Sequence, residues 1–271
     1  SPDDMVGRDD YQMGWWEQAD LYRSDDKRVL ESGKSKLDYE EPQATPDGRH
    51  IWLRTSKVPL RDADGVIFGI LGTYQDITAH QQAEEAIRRT NRQLRMLSDC
   101  NQALIRTTDE MELLATICTI VVQEGGYRMA WVGYAEQDAS KTIRPMVHTG
   151  FEEGYLQNLN ITWADDERGI GPMGTAIRTE RPCLVRHIAS DSRFAPWRAE
   201  AAQRGYAAVC ALPLAASDQI FGALGIYSSA PDSFDAEEID LLSELASDLA
   251  FGIAVLRARI ERERAEQKLL E

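Results

Sequence analysis

Cysteine, histidine and positive charge are all scarce in this chain, and each scarcity removes a class of function. The 271 residues include four cysteines, Cys100, Cys118, Cys183 and Cys210, widely spaced, with no Cys-x-x-Cys and no histidine at zinc-ligand spacing. Reduced thiols are expected, with Cys118, Cys183 and Cys210 serving as small buried apolar residues in apolar runs. The four histidines, His50, His80, His148 and His187, are paired by nothing in the sequence, so neither a metal nor a haem cofactor is expected. Thirty Lys and Arg stand against 45 Asp and Glu, a net charge of −15 that repels nucleic-acid phosphates and anionic lipid surfaces. No stretch approaches the roughly 20 apolar residues of a membrane helix, and no basic segment followed by an apolar one stands at the N-terminus. The expectation is a cytoplasmic chain that touches neither nucleic acid nor membrane.

What is present suits two globular domains. Residues 1–36 are polar and acidic, with a helix expected around residues 16–32 and a terminator at Gly33. Three strand patterns follow, over residues 37–44, 50–60 and 66–76. The turn sequences Pro46-Asp47-Gly48 and Asp62-Ala63-Asp64-Gly65 separate them, which makes an antiparallel meander.

From about Ala79 the period changes. Ala83, Ile87, Thr90, Leu94, Leu97, Asn101 and Leu104 are spaced by alternating fours and threes among charged neighbours such as Glu84, Glu85, Arg88, Arg89 and Arg92. Such a seam suits pairing with an identical helix; the alternative is an amphipathic helix lying on its own domain. A second helix is expected over residues 109–124. Strand patterns then follow at residues 129–136, 142–148, 183–188, 207–214 and 219–228. Residues 235–271 read as one long helix, apolar to about Leu256 and charged beyond it. The charged end lacks the apolar surface to finish a globule, so it is expected to lead to an output domain beyond residue 271.

Two segments resemble known families. Asp47-Gly48-Arg49-His50-Ile51-Trp52, Lys57-Val58-Pro59-Leu60-Arg61-Asp62-Ala63-Asp64-Gly65, Gly69-Ile70-Leu71-Gly72 and the closing Asp76-Ile77-Thr78 resemble the C-terminal half of a PAS domain. That resemblance implies a five-stranded antiparallel sheet of which only the last three strands are found here. The strand at residues 66–76, normally central, would then be an open edge that pairs with another chain, swaps or is poorly ordered. Asp76 or Thr78 is expected to cap the following helix while Ile77 packs back on the sheet.

Arg128-Met129-Ala130-Trp131-Val132-Gly133, Gly171-Pro172-Met173-Gly174-Thr175-Ala176-Ile177 and Phe221-Gly222-Ala223-Leu224-Gly225-Ile226-Tyr227 resemble a GAF domain, as does Phe234-Asp235-Ala236-Glu237-Glu238 opening a helix. The likeness implies a six-stranded antiparallel sheet with helices on one face and a ligand-sized cavity on the other. Asp235 is the expected N-cap, with Glu238 as its capping-box partner. The fold class is therefore α+β, a GAF-type sheet flanked by helices and preceded by a partial PAS sheet and a long linking helix. The domains are the end of a PAS domain at 1–78, a signalling helix at 79–107, a GAF domain at 97–256 and an outgoing helix at 257–271.

No catalytic constellation is visible. Gly169-x-Gly171-Pro172-x-Gly174 lacks the Gly-Lys-Ser/Thr ending of a phosphate loop and the order of a dinucleotide fingerprint, so the glycines more simply turn the chain into a helix at Pro172. The Cys-His pair of bilin-binding relatives and the Asn-Lys-x-x-x-Phe-x-x-x-Asp-Glu run of cyclic-nucleotide binders are missing. Trp131, Phe151, Tyr155, Trp163, Phe194 and Trp197, with Asp191, Arg193 and Arg198 as polar anchors, gather where a small planar ligand would sit. The simpler reading is that these rings fill the core. A regulatory module without turnover of its own is expected. It would form a homodimer through Ile87, Leu94, Leu97 and Leu104, take a small molecule or partner as its signal, and pass the change to a histidine kinase. A diguanylate cyclase output, a purely structural dimerisation module and a cysteine-based small-molecule reductase are the alternatives.

Overall fold

A computed structural model describes residues 5–45, 47–217 and 219–270. Pro46, in the first predicted turn, and Glu271, at the end of the outgoing helix, lie outside them. The chain is α+β and divides into two units, residues 1–90 and 91–271.

In the first unit, α1 (Ala19–Ser32) ends where Gly33 takes the left-handed conformation, φ 63°, and its N–H bonds back to the Val29 carbonyl. Three antiparallel strands follow, β1 (Lys36–Ala44), β2 (His50–Arg61) and β3 (Ile67–Asp76), in the order β1-β2-β3. Register places Tyr39, Thr55 and Tyr74 in one cross-strand row, Glu41 and Leu53 in the next, and Lys57 with Gly72 in a third. Because side chains alternate across a strand, these residues share one face. β3 has no second neighbour among the described residues, and Phe68 and Leu71 on it are exposed. The expected open edge is present.

At the Asp-Ile-Thr ending, Ile77 is buried and its N–H bonds to the Trp52 carbonyl. Asp76 accepts from the Thr78 N–H at 2.9 Å, but the Thr78 hydroxyl accepts from the Trp52 N–H at 2.9 Å. Thr78 therefore ties the start of the next helix to β2, and Asp76 supplies the cap.

That helix, α2 (Thr78–Arg106), runs 29 residues and enters the second unit. The second unit continues with α3 (Glu110–Gln123), β4 (Met129–Ala135), β5 (Ile143–Gly150), α4 (Tyr155–Asn158), α5 (Pro172–Thr179), β6 (Cys183–Val185), α6 (Arg198–Gln203), β7 (Ala208–Ala216), β8 (Gln219–Ser228) and α7 (Ala236–Leu270). Asp109 caps α3 by accepting from the Glu112 N–H, and Asp235 does the same for α7 from the Glu238 N–H.

The sheet has five strands in the order β5-β4-β8-β7-β6, all antiparallel, not the six that the family resemblance implies. Beyond β5 the chain makes one isolated bridge, Thr142 to Thr162. The segment cannot extend as a strand because Asp166 and Arg178 take up its backbone groups. The Arg168 and Gly169 N–H groups donate to Asp166, and the Ala164 and Gly169 carbonyls accept from Arg178.

Both faces of the inner strands β4, β8 and β7 are covered, so these strands are apolar along most of their length, whereas the edge strand β5 carries the exposed Arg144 and His148. Ala130 and Val132 of β4 and Cys210 and Leu212 of β7 face a layer made by α2, α3 and α7. Leu113, Ile117 and Val121 of α3 and Leu242, Leu245, Leu249, Ile253 and Leu256 of α7 form its stripes. Each such side chain contributes roughly 1.5–3 kcal/mol by leaving water. Met129 and Trp131 of β4, Val209 and Ala211 of β7 and Tyr227 of β8 face α5 and the loops around it.

Candidate functional site

Alternation along β4 puts Trp131 on the α5 side, against two glycines. A methyl group at Gly225 would come within 2.7 Å of the indole Nε1, and one at Gly133 within 2.8 Å of its ring. Small residues there let the largest side chain of the sheet lie flat. Tyr227, Tyr206, Tyr155, Phe194 and Trp197 complete an aromatic cluster, with Tyr206–Tyr227 centroids 4.7 Å apart, Tyr155–Tyr206 5.3 Å and Phe194–Trp197 5.7 Å. Tilted and edge-on geometries dominate, as the ring quadrupoles favour. Between this cluster and α5 lies a cavity of about 10 Å³ lined by Tyr155, Ile161, Pro172, Met173, Phe194 and Trp197, among others. That is room for about one water molecule. The rings fill their core.

Two polar groups inside it are poorly satisfied. The Trp131 Nε1–H and the Tyr155 hydroxyl are fully buried and make no well-formed hydrogen bond among the described residues. Both lie beside the Tyr227 hydroxyl, which burial pushes up to about 12 despite the opposing influence of its two neighbours. Burial, reinforced by Tyr227, likewise holds Tyr155 well above its ordinary value. All three groups are neutral at physiological pH, so the cluster itself offers hydrogen-bond donors without charge, and Arg168 is the charged residue in the cavity lining. An unsatisfied buried donor costs about 1–3 kcal/mol, an energy that a bound acceptor recovers.

Phe194 and Trp197 line the cavity and Trp131 stands behind it. Phe151 is peripheral, with the Arg128 guanidinium 4.2 Å from its ring centroid. Trp163 packs at the margin of the cluster without lining the cavity; its Nε1–H donates to the Glu136 carbonyl at 2.9 Å and the Lys141 ammonium sits 4.6 Å over its ring. Asp191 and Arg193 pair with each other at 2.6 Å, and Arg193 also donates to the Leu184 carbonyl. Arg198 donates to the Asp191 carbonyl at 2.9 Å. These polar anchors bind the loop after β6 and do not line the cavity. Tyr206 and Tyr227 escaped the sequence reading, although tracing alternation back from Trp131 through the β4–β8 register would have placed Tyr227 inside.

The dimer-helix residues divide. Ile87 and Leu94 are 61% and 59% exposed, whereas Leu97 and Leu104 are partly buried against the core beside Met96, Cys100 and Ala103. At the glycine-rich turn, the Trp163, Ala164 and Gly169 carbonyls point at the Arg178 guanidinium. A loop that presents oxygens to a cation is the reverse of a phosphate cradle. All four histidines are exposed, and no group of residues suited to hold a metal occurs among the described residues. Nor is any helix there long and apolar enough to cross a membrane. The four cysteines are free and buried.

A family model for the GAF domain matches residues 107–254, and one for the PAS fold matches residues 1–82. No curated protein matches. Among solved structures, the GAF domain of a phosphoenolpyruvate-protein phosphotransferase from Coxiella burnetii is 18% identical with a TM-score of 0.53, covering 62% of this chain and 95% of that one. The corresponding Acinetobacter domain is 15% identical with a TM-score of 0.50, over 62% and 97%. At these identities the likeness speaks for the fold.

Proposed function

Since the chain belongs to the GAF domain family and carries a PAS fold ahead of its GAF domain, we propose that it is the cytoplasmic sensory part of a signal-transduction protein. It pairs as a parallel homodimer through α2 and relays a change in the GAF domain along α7 to a histidine kinase. PAS and GAF domains are regulatory rather than catalytic, so the chain itself turns nothing over.

The observation that carries the relay is the divided character of α2. Met96, Cys100 and Ala103 root the helix in the core, while Ile87 and Leu94 leave apolar surface open among charged neighbours. Burying such residues against a second copy gives association its driving force. α2 is also tied to the start of α7. The buried Glu238 carboxylate accepts from Gln93 on α2 at 2.9 Å and from the Tyr127 hydroxyl. A shift of either helix is thus felt by the other, as coupling between two arrangements requires.

The poorly satisfied Trp131 and Tyr155 groups support a signal that enters by opening the closed aromatic cluster and presents a hydrogen-bond acceptor. A small planar molecule meets that description. Native mass spectrometry of the whole chain tests both parts. A dimer that Ile87→Asp with Leu94→Asp converts to monomer supports the helix pairing, and retained mass on it supports the ligand. A wild-type monomer overturns the relay. A dimer with no added mass, and no thermal shift with any of a panel of small metabolites, favours the structural-module reading.

A further inference from the structure

The first unit buries three charged side chains among the described residues, Asp25, Glu41 and Lys57. Between α1 and the face of the three-stranded sheet, Asp25, Glu41, Thr55 and Lys57 are all buried. Asp25 is held by Arg28 and Lys36, and the Lys57 ammonium by Asp26 at 2.5 Å and the Tyr22 carbonyl at 3.2 Å. Glu41 is different. It is 94% buried, lines a cavity and has no hydrogen bond or ion pair among the described residues. A carboxylate enclosed by protein on all sides but that of a cavity, with no cation beside it, is poised for a positive group that enters there.

The cavity it faces measures about 270 Å³, against about 10 Å³ for the one beside the aromatic cluster of the second unit. At roughly 30 Å³ per water it admits a molecule of several heavy atoms. Its walls include Trp15, Tyr22 and Tyr74, and its acidic groups Asp10, Asp26 and Glu41 outnumber its single cation, Lys57. Tyr74 is 63% exposed, so one wall borders solvent and gives a way in. Aromatic faces around an unpaired carboxylate are the chemistry that takes up an organic cation.

We propose that this cavity binds a small organic cation of the amine or quaternary ammonium class, with Glu41 as its counter-ion and Trp15, Tyr22 and Tyr74 around its alkyl groups. The site is independent of the aromatic cluster near Trp131 and gives the chain a second input.

Isothermal titration calorimetry of the whole chain with choline, n-butylammonium and the neutral choline isostere 3,3-dimethylbutan-1-ol tests it. At least one cation is expected to bind in the millimolar range or tighter, with the isostere on the order of tenfold weaker or worse. Glu41→Gln keeps the shape of the side chain and is expected to weaken the cation by a similar factor while leaving the isostere unchanged. Tyr74→Leu, at an exposed position that leaves the fold intact, weakens the cation as well. Equal binding of cation and isostere, undiminished cation binding by Glu41→Gln, or no heat from either cation at millimolar concentration overturns the proposal.

Discussion

Arg257 on α7 grips Glu110 in the first turn of α3 with two hydrogen bonds, Nε to Oε2 at 2.8 Å and Nη2 to Oε1 at 2.7 Å. The Tyr134 hydroxyl donates to the same carboxylate at 2.6 Å, and the guanidinium lies 5.0 and 4.8 Å from the Tyr134 and Phe221 ring centroids. The contact sits one residue past Leu256, the last buried apolar position of α7, where the helix leaves the core. Arg257→Ala is expected to lower stability by about 1–2 kcal/mol, less than a fully buried pair because solvent reaches the guanidinium. Arg257→Lys should restore little of it, since an ammonium cannot make the fork. Urea denaturation of the three proteins measures the difference, and an unchanged midpoint for Arg257→Ala would show that the clamp holds nothing.

The same carboxylate carries a pH dependence. Burial pushes the Glu110 pKa upward, but the hydrogen bonds from Arg257 and Tyr134 and the Arg257 charge outweigh it and hold the value below the ordinary 4.5. A folded-state pKa below the unfolded one contributes stability that is fully present above 4.5 and is lost as the pH falls through the folded value. The melting-temperature gap between wild type and Glu110→Gln should therefore shrink from about pH 6 to about pH 3. A gap that stays constant or widens in acid would reverse the sign and refute the assignment.

Gly174 tests the reading of the glycine-rich turn. A methyl group there would stand 2.4 Å from the Gly169 carbonyl oxygen and 2.5 Å from that of Thr162, both backbone atoms that cannot swing aside. Gly174→Ala is expected to cost about 2 kcal/mol or more through overpacking. Thermal unfolding checks this. A neutral substitution would mean that the close approach of α5 to the loop is not what fixes glycine here.

The secondary structure was legible because its signals are local. Gly33, Asp109 and Asp235 mark helix ends through their own backbone or side-chain chemistry, and alternation marks the strands. The site was legible only in part, because aromatic composition does not say which way a ring points. Trp131 and Phe194 turn inward, while Trp163 is held at the margin of the cluster by Lys141 and the Glu136 carbonyl, partners distant in sequence. Nor does the sequence reveal the cavity of the first unit. Glu41 stands between Glu40 and Pro42 and reads as one more solvated charge. Only its pairing with Leu53 and the packing of α1 put it inside.

The thiols separate a sensor from a cysteine-based reductase. Burial pushes Cys100, Cys118 and Cys210 up to about 12, far from the thiolate form that attacks substrates. Cys183 is also raised by burial, but the Arg193 guanidinium, whose Nη1 lies 3.7 Å from Sγ, opposes the shift. In the native protein, a chromogenic disulfide reagent should find no fast thiol, and whatever slow reaction occurs should vanish with Cys183→Ser. Denaturant should release all four at once. A thiol that reacts in the native state as fast as in the unfolded one, or a Cys183–Cys210 disulfide formed under mild oxidation, would count against the sensory reading and for redox chemistry at β6 and β7.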